Sequence, residues 1–251
     1  MEMQKIFTRP ESLKPSPFRY CPGCGHSIAH RLIAECIDSL GIREKVVGIA
    51  PVGCAVFAYD YFNFDVLEAA HGRPPAVATA LKRLMPERVI FSYQGDGDLA
   101  AIGTGEIIHA AARGENFSVF FINNATYGMT GGQMAPTTVE GQRTTTTPGG
   151  RDSRREGFPL RISELLASIE GVSFVERVSL ASHANIVAAA RSVEKAFRYQ
   201  LEGKGFSLVE MLSPCPTDWG MTPKASLEWM KSTMVRTFPL GVYKDIFTGN
   251  R

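Results

Sequence analysis

RVIFSYQGDGDLAAIGTGEIIHAAARGENFSVFFINN, residues 88–124, decides the fold. RVIFSYQ is an apolar run of strand length, GDGD is a tight turn, and LAAIGTGEIIHAAARG carries a helical pattern closed by Gly114. FSVFFINN is a second apolar run. Two strands without polar alternation are buried on both faces, which argues for a parallel sheet, and the helix between them is long enough for a βαβ crossover. Upstream, a helix follows CPGCGH: Ile28, Leu32, Cys36 and Leu40 recur every fourth residue beside Ile33 and Ile37, and Gly41 ends it. KVVGIAPVGC reads as a strand entering a loop, and RPPAVATALKRLMP as a helix that opens on prolines and stops before Pro86. Downstream, the pattern fails over residues 125–159, rich in Gly, Thr, Pro and Arg; a loop of that length is usually functional. RISELLASIEG then predicts a helix, VSFVERV a strand, SHANIVAAARSVEKAFRYQLEG a helix and FSLVEMLSPC a strand. Residues 1–20, with three prolines, read as an extended arm, and residues 222–251 as an irregular tail. The expectation is an α/β fold, a doubly wound and mostly parallel sheet, in a single domain over 1–251.

The 251 residues are 44% hydrophobic and 21% charged, enough for a sizeable core and not the composition of a disordered chain. A net charge of +2 gives no reason to expect nucleic acid or an anionic membrane as partner. No apolar run approaches the ~20 residues of a membrane span, and MEMQKIFTRPESLKPSPFRY has no apolar core after its basic residues. A cytoplasmic location is expected, in which the five cysteines stay reduced and serve metal binding or burial.

In an open parallel sheet, ligands sit at the carboxyl ends of the strands. Asp96 lies just past one strand and Asn124 at the end of the next, so neighbouring strands would aim both oxygens into one crevice. Gly95 and Gly97 allow a tight turn and close approach to a phosphate, and the following helix directs its N–H groups there. A carboxylate, an amide oxygen and a backbone carbonyl suit magnesium carrying a diphosphate. Either turn alone is an ordinary loop; the pair, ordered across a βαβ unit, is not. Cys21 and Cys24 form a CxxC, Cys54 ends PVGC, and Cys215 ends SPC. Four thiolates suit either a [4Fe–4S] cluster or a structural zinc. Cys36 lies on the apolar stripe of its helix and reads as a small hydrophobe.

GDGD followed by NN resembles the thiamine-diphosphate motif of 2-oxoacid decarboxylases and oxidoreductases. NNATYGMTGGQMAPTT, CPGCGH, VGC, AAHGRPPAVATALK and RDSRREGFPLR are similar to segments of the β subunits of 2-oxoacid:ferredoxin oxidoreductases, and the likeness runs from Cys21 to the YKDIF of the tail. It implies a thiamine-diphosphate-binding fold, with Mg²⁺ on Asp96, Asn124 and the carbonyl of Thr126. It further implies cofactor contacts from Gly25, Gly72, Gly95, Gly97, Asp98, Tyr127, Gly128, Met129 and Thr130, with Met129 as an apolar wedge under the cofactor. His26 and His71, in CPGCGH and AHGR, become candidates for contacts at the reacting centre, although a lone histidine is more often a structural hydrogen-bonder. The resemblance also favours the [4Fe–4S] cluster over zinc on Cys21, Cys24, Cys54 and Cys215.

The activity so implied is oxidative decarboxylation of a 2-oxoacid to an acyl-CoA, with coenzyme A as co-substrate and ferredoxin, or a ferredoxin-like subunit, taking the electrons. No glutamate occupies a motif suited to activating the aminopyrimidine, so a larger pyrimidine-binding α subunit is expected as partner. Phe57, Tyr59, Tyr61, Phe62 and Phe64 suggest a pocket edged by aromatics and an apolar substrate tail, or simply core. The alternatives are a non-oxidative thiamine-diphosphate decarboxylase or synthase, which leaves the cysteines without purpose, and a zinc-bound non-catalytic subunit, which leaves Asp96 and Asn124 without purpose.

Overall fold

The computed structural model describes residues 8–248. In chain order its elements are α1 (His26–Leu40), β1 (Val46–Ala50), α2 (Ala58–Tyr61), β2 (Asp65–Glu68), α3 (Pro74–Leu84), β3 (Val89–Gly95), α4 (Thr104–Ala112), β4 (Ser118–Asn123), α5 (Ser153–Glu156), α6 (Ile162–Ala167), β5 (Val172–Ser179), α7 (His183–Leu201), β6 (Phe206–Leu212), α8 (Pro223–Trp229), α9 (Val235–Thr237) and β7 (Gly241–Asp245). The strands form one seven-stranded sheet in the order β2-β1-β3-β4-β6-β5-β7, parallel except for β7. β3 and β4 are direct neighbours, with Gly95 opposite Ile122.

Period-two alternation along the buried strands supplies two cores. Phe91, Tyr93, Phe120, Ile122, Val209 and Met211 face α1 and α7; Ile90, Val119, Phe121 and Leu208 face α3, α4 and α6. Helices on both faces explain why the central strands lack polar alternation. Phe197 of α7 meets the rings of Phe91 and Phe120 edge-on at 5.8 and 5.1 Å, contacts worth ~0.5–1.5 kcal/mol each beyond area burial. Among the described residues no helix is long and apolar enough to cross a membrane.

Two expectations need correction. Of the expected irregular tail, residues 222–251, the described residues 222–248 are not irregular, and 249–251 lie outside the described residues. Thr222 caps α8 through its side chain, with Pro223 in the first turn; α8 continues through a π-helical turn at Met230–Met234; and β7 pairs antiparallel with β5. Leu227, Met230, Met234 and Phe238 pack this segment as a third core with Leu212. Residues 1–7 of the expected extended arm lie outside the described residues; the rest turns at Pro10–Leu13, where the Leu13 N–H meets the Pro10 carbonyl at 3.2 Å, and is tied down: Asp38 of α1 accepts from the backbone N–H of Glu11 and of Ser12, and Leu13 bridges Phe62. The second correction concerns the aromatics. Tyr61 and Phe62 are buried, Phe57 and Phe64 pack against the first core, and Tyr59 is exposed. They do not edge the main cleft.

Candidate functional site

The carboxyl ends of β1, β3 and β4 open into a cleft of about 590 Å³. Its walls come from three loops: Val52–Ala55 after β1, Gly95–Asp98 after β3, and Asn124 with Thr126–Thr130 after β4, joined by His26 and His71.

Asp96 caps a π-helical turn (Gly97–Ile102) that leads into α4, and its Oδ1 accepts the Gly97 N–H at 2.8 Å. Oδ2 accepts from Thr137 Oγ1 at 2.7 Å and from the Thr126 N–H at 3.2 Å. The carboxyl is 3% exposed. Burial pushes its pKa up to about 7, against the opposing pull of the Thr137, Gly97 and Thr126 hydrogen bonds. The Asn124 side-chain oxygen faces two other oxygens, the Thr126 carbonyl at 2.7 Å and Asp96 Oδ2 at 3.1 Å. Three acceptors at such range repel unless a cation lies among them, or unless the amide turns over and donates to both. A carboxylate, an amide oxygen and a carbonyl converging in this way fit a hard divalent ion such as Mg²⁺.

The turn that makes this possible is strained. Ala125 has φ 58°, the one positive φ of a non-glycine residue among those described, a conformation that costs about 1–2 kcal/mol. Asn123 Oδ1 accepts the Ala125 N–H at 3.1 Å, Thr138 and Gln142 side chains donate to the Ala125 carbonyl, and Trp219 Nε1 donates to the Asn124 carbonyl at 3.0 Å. At Gly97 a Cβ would fall 2.2 Å from the Tyr127 ring, so glycine is required for the two loops to meet.

Asp98 ties the loops together: Oδ1 accepts the Gly72 N–H at 2.8 Å and Oδ2 accepts from Gln94 at 2.7 Å. His71 Nδ1 lies 2.7 Å from Asp98 Oδ1, yet it has no properly directed hydrogen bond, so proximity and not a formed bond is what the pair shows. His26 faces the cleft, with Nδ1 at 2.6 Å from the Tyr93 hydroxyl; burial pulls its pKa down to about 4, leaving it neutral at pH 7. Gly25 and Gly72 are not on the cleft wall. A Cβ at Gly25 would strike Ser213 Oγ, and one at Gly72 (φ 75°) would strike the backbone of Ile102 and Gly103, so both serve close packing. Met129 stands 44% exposed on the rim.

The cysteines gather beside this cleft. Cys24 N–H closes a turn on the Cys21 carbonyl at 3.0 Å. Cys54 opens a 3-10 turn after Gly53, and Cys215 follows β6. Burial pushes the Cys24 thiol up to about 11 and the Cys54 thiol up to about 12, and raises that of Cys215; neighbouring members of the set and Asp218 add to each shift. The thiols of Cys24, Cys54 and Cys215 therefore ionise readily only against a positive charge such as a metal. Among the described residues, no three His, Cys, Asp or Glu side chains close on a single ion position. Cys36 donates weakly to the Ala190 carbonyl inside the α1–α7 packing, apart from the set.

Gly128 joins the two regions. A Cβ there would lie 3.3 Å from Cys54 Sγ, 3.4 Å from Asp218 Oδ2 and 3.5 Å from the Asn124 amide nitrogen. Asp218, which accepts from Cys215 Sγ at 3.1 Å, was not foreseen from sequence, nor were Val52, Gly53, Ala55, Thr137 and Trp219. TDW directly after SPCP was the available signal for Asp218 and Trp219.

Residues 51–211 match the model for the thiamine pyrophosphate enzyme C-terminal TPP-binding domain. The ketoisovalerate oxidoreductase subunit VorA of Methanothermobacter marburgensis is 50% identical over 97% of this chain and 51% of its own length. The 2-oxoglutarate synthase subunit KorB of Archaeoglobus fulgidus is 35% identical over 88% of this chain and 78% of its own. The chain thus spans about half the length of its VorA relatives. A solved 2-oxoglutarate:ferredoxin oxidoreductase from Magnetococcus marinus, with 2-oxoglutarate, coenzyme A and succinyl-CoA bound, shares the fold with a TM-score of 0.75 at 23% identity, over 96% of this chain and 86% of that one.

Proposed function

Because this chain belongs to the 2-oxoacid:ferredoxin oxidoreductase family of thiamine pyrophosphate enzymes, we propose that it is the subunit holding magnesium thiamine diphosphate and a [4Fe–4S] cluster, and that with a partner subunit it converts a 2-oxoacid to an acyl-CoA and CO₂ while reducing ferredoxin. The observation that carries this reading is the convergence of the Asp96 carboxylate, the Asn124 side-chain amide and the Thr126 carbonyl at the ends of two adjacent strands.

When bound, the cofactor supplies the nucleophilic carbon and electron sink for decarboxylation, and a cluster on Cys21, Cys24, Cys54 and Cys215 takes electrons singly. The chain's own part is placement. Asp96, Asn124 and the Thr126 carbonyl would hold the metal and through it the diphosphate, and the start of the π-turn would add the partial positive charge of its N–H end. Gly128 lets the Asn124 turn approach Cys54 and Asp218 closely. Neutral His26, held by Tyr93, and His71, beside Asp98, border the cleft as hydrogen-bonding groups for a substrate. A branched-chain 2-oxoacid is the favoured substrate, since VorA is named for ketoisovalerate; the aromatics after Cys54 lend this no support.

The native complex, purified anaerobically, tests the reading. Supplied with coenzyme A and a panel of 2-oxoacids, it should reduce a low-potential dye fastest with branched-chain acids. CO₂ release without dye reduction would point instead to a non-oxidative decarboxylase.

A further inference from the structure

A buried polar chain runs from the metal turn to the far edge of the sheet. Asn123, at the end of β4, donates from Nδ2 to Glu210 Oε1 at 2.7 Å, while its Oδ1 accepts the Ala125 N–H. Glu210 lies on β6 and is fully buried. Its Oε2 accepts from Ser163 Oγ at 2.5 Å and from Arg177 Nε at 2.8 Å. Arg177, on β5 and also fully buried, is held in turn by Glu164 at 2.5 and 3.0 Å, by the Pro239 carbonyl and by the Tyr243 hydroxyl. Four elements (α6, β5, β6 and the segment carrying β7) thus converge on one side-chain amide.

That amide matters because of what it controls. The Asn123 side chain can hold Ala125 only if its own orientation is set, and Glu210 sets it by accepting the Nδ2 proton. Ala125 sits in the left-handed region that residues with a Cβ avoid. Its neighbours on either side, Asn124 and Thr126, supply two of the three oxygens of the metal set.

Resting on the metal site proposed above, we infer that Glu210, anchored by Arg177 and Ser163, is a positioning residue for the magnesium turn: through Asn123 it fixes the left-handed Ala125 and thereby aims the Asn124 and Thr126 oxygens at Asp96. Glu210 touches no metal ligand itself. Its effect is a geometric one, transmitted through one side chain and one backbone conformation.

The test is the Mg²⁺ affinity of the native complex at saturating thiamine diphosphate, measured by calorimetry beside Tm. Glu210→Gln keeps the size of the side chain but removes an acceptor, and should weaken Mg²⁺ binding about tenfold, as loss of an outer-sphere partner does. Adding Ala125→Gly, which adopts positive φ without penalty, should recover much of that loss. Tyr199→Phe removes a buried hydrogen bond to Asp245 elsewhere in the sheet; it should lower Tm and leave Mg²⁺ affinity alone. Ser163→Ala, the milder cut, should weaken binding in the same direction and carries the test should Glu210→Gln not fold. Wild-type affinity in Glu210→Gln or, in its place, in Ser163→Ala would overturn the inference. So would an affinity loss that Tyr199→Phe reproduces, or no recovery with Ala125→Gly. A wild-type complex that takes up no Mg²⁺ with the cofactor would instead overturn the metal site on which the inference rests.

Discussion

The metal turn and the cysteine set meet at Gly128 but are built in opposite ways. Asp96, Asn124 and Thr126 stand at the ends of two adjacent, fully buried strands, and hydrogen bonds from Thr137, Trp219, Thr138 and Gln142 lock them before any ion arrives. The cysteines come from the turn before α1, a loop after β1 and a loop after β6, and burial raises the thiols of Cys24, Cys54 and Cys215 above their ordinary range. A preformed oxygen site binds its ion with little rearrangement. A loop-borne thiol site is completed by its metal and gives up protons to it. The two should therefore fail independently except where they touch.

Cys24→Ala gives the widest separation. Iron per chain should fall from about four, for a Cys₄ cluster, to near zero, with the brown colour lost and magnesium-dependent cofactor binding retained. Loss of cofactor binding along with the iron would break the independence.

A second separation uses pH. The Asp96 carboxyl titrates at about 7 in the folded chain and near ~3.9 in an unfolded one. A raised carboxyl contributes stability that is fully present below the unfolded value and is lost as pH rises through the folded one. The metal-free protein should thus lose on the order of 3 kcal/mol between about pH 4 and pH 7 that Asp96→Asn does not lose. Chemical denaturation of both proteins across that range reads the difference. Saturating Mg²⁺ and cofactor should abolish it, because the ion takes the place of the proton.

The smallest effect belongs to the junction. Gly128→Ala places a methyl group against Cys54, Asp218 and Asn124, and should weaken Mg²⁺ binding a few-fold while shifting the visible spectrum of the cluster. A change in one without the other would mean that the two sites are not mechanically joined there.

The same contrast governs what could be read in advance. The apolar runs of β3 and β4 with the helix between them are local patterns, so the central sheet and the Asp96–Asn124 pairing were legible. The edge strands were not: β2 is short, acidic and exposed, and β7 is a brief GVYKD run at the rim. α8 was hidden because Thr222-Pro223 reads equally well as a breaker or as a helix start, and the stripe that decides it, Leu227 with Met230 and Met234, runs on into the π-turned continuation. The roles of Thr137, Asp218 and Glu210 depend on contacts between distant segments, which spacing cannot reveal. Gly25 and Gly72 carry motif positions but serve close packing, Gly25 against the Ser213 side chain and Gly72 against the backbone of Ile102 and Gly103, a distinction only three dimensions make. The cysteine set was legible as thiols that could share a metal; residue chemistry alone left cluster and zinc open.

The claim that three oxygens at the ends of β3 and β4 share one divalent ion is tested most directly by crystals grown with Mn²⁺ and thiamine diphosphate. Anomalous scattering at the manganese edge should give a single peak within about 2.5 Å of Asp96 Oδ2, the Asn124 side-chain oxygen and the Thr126 carbonyl. A bound cofactor whose metal peak lies away from any one of these atoms would contradict the account.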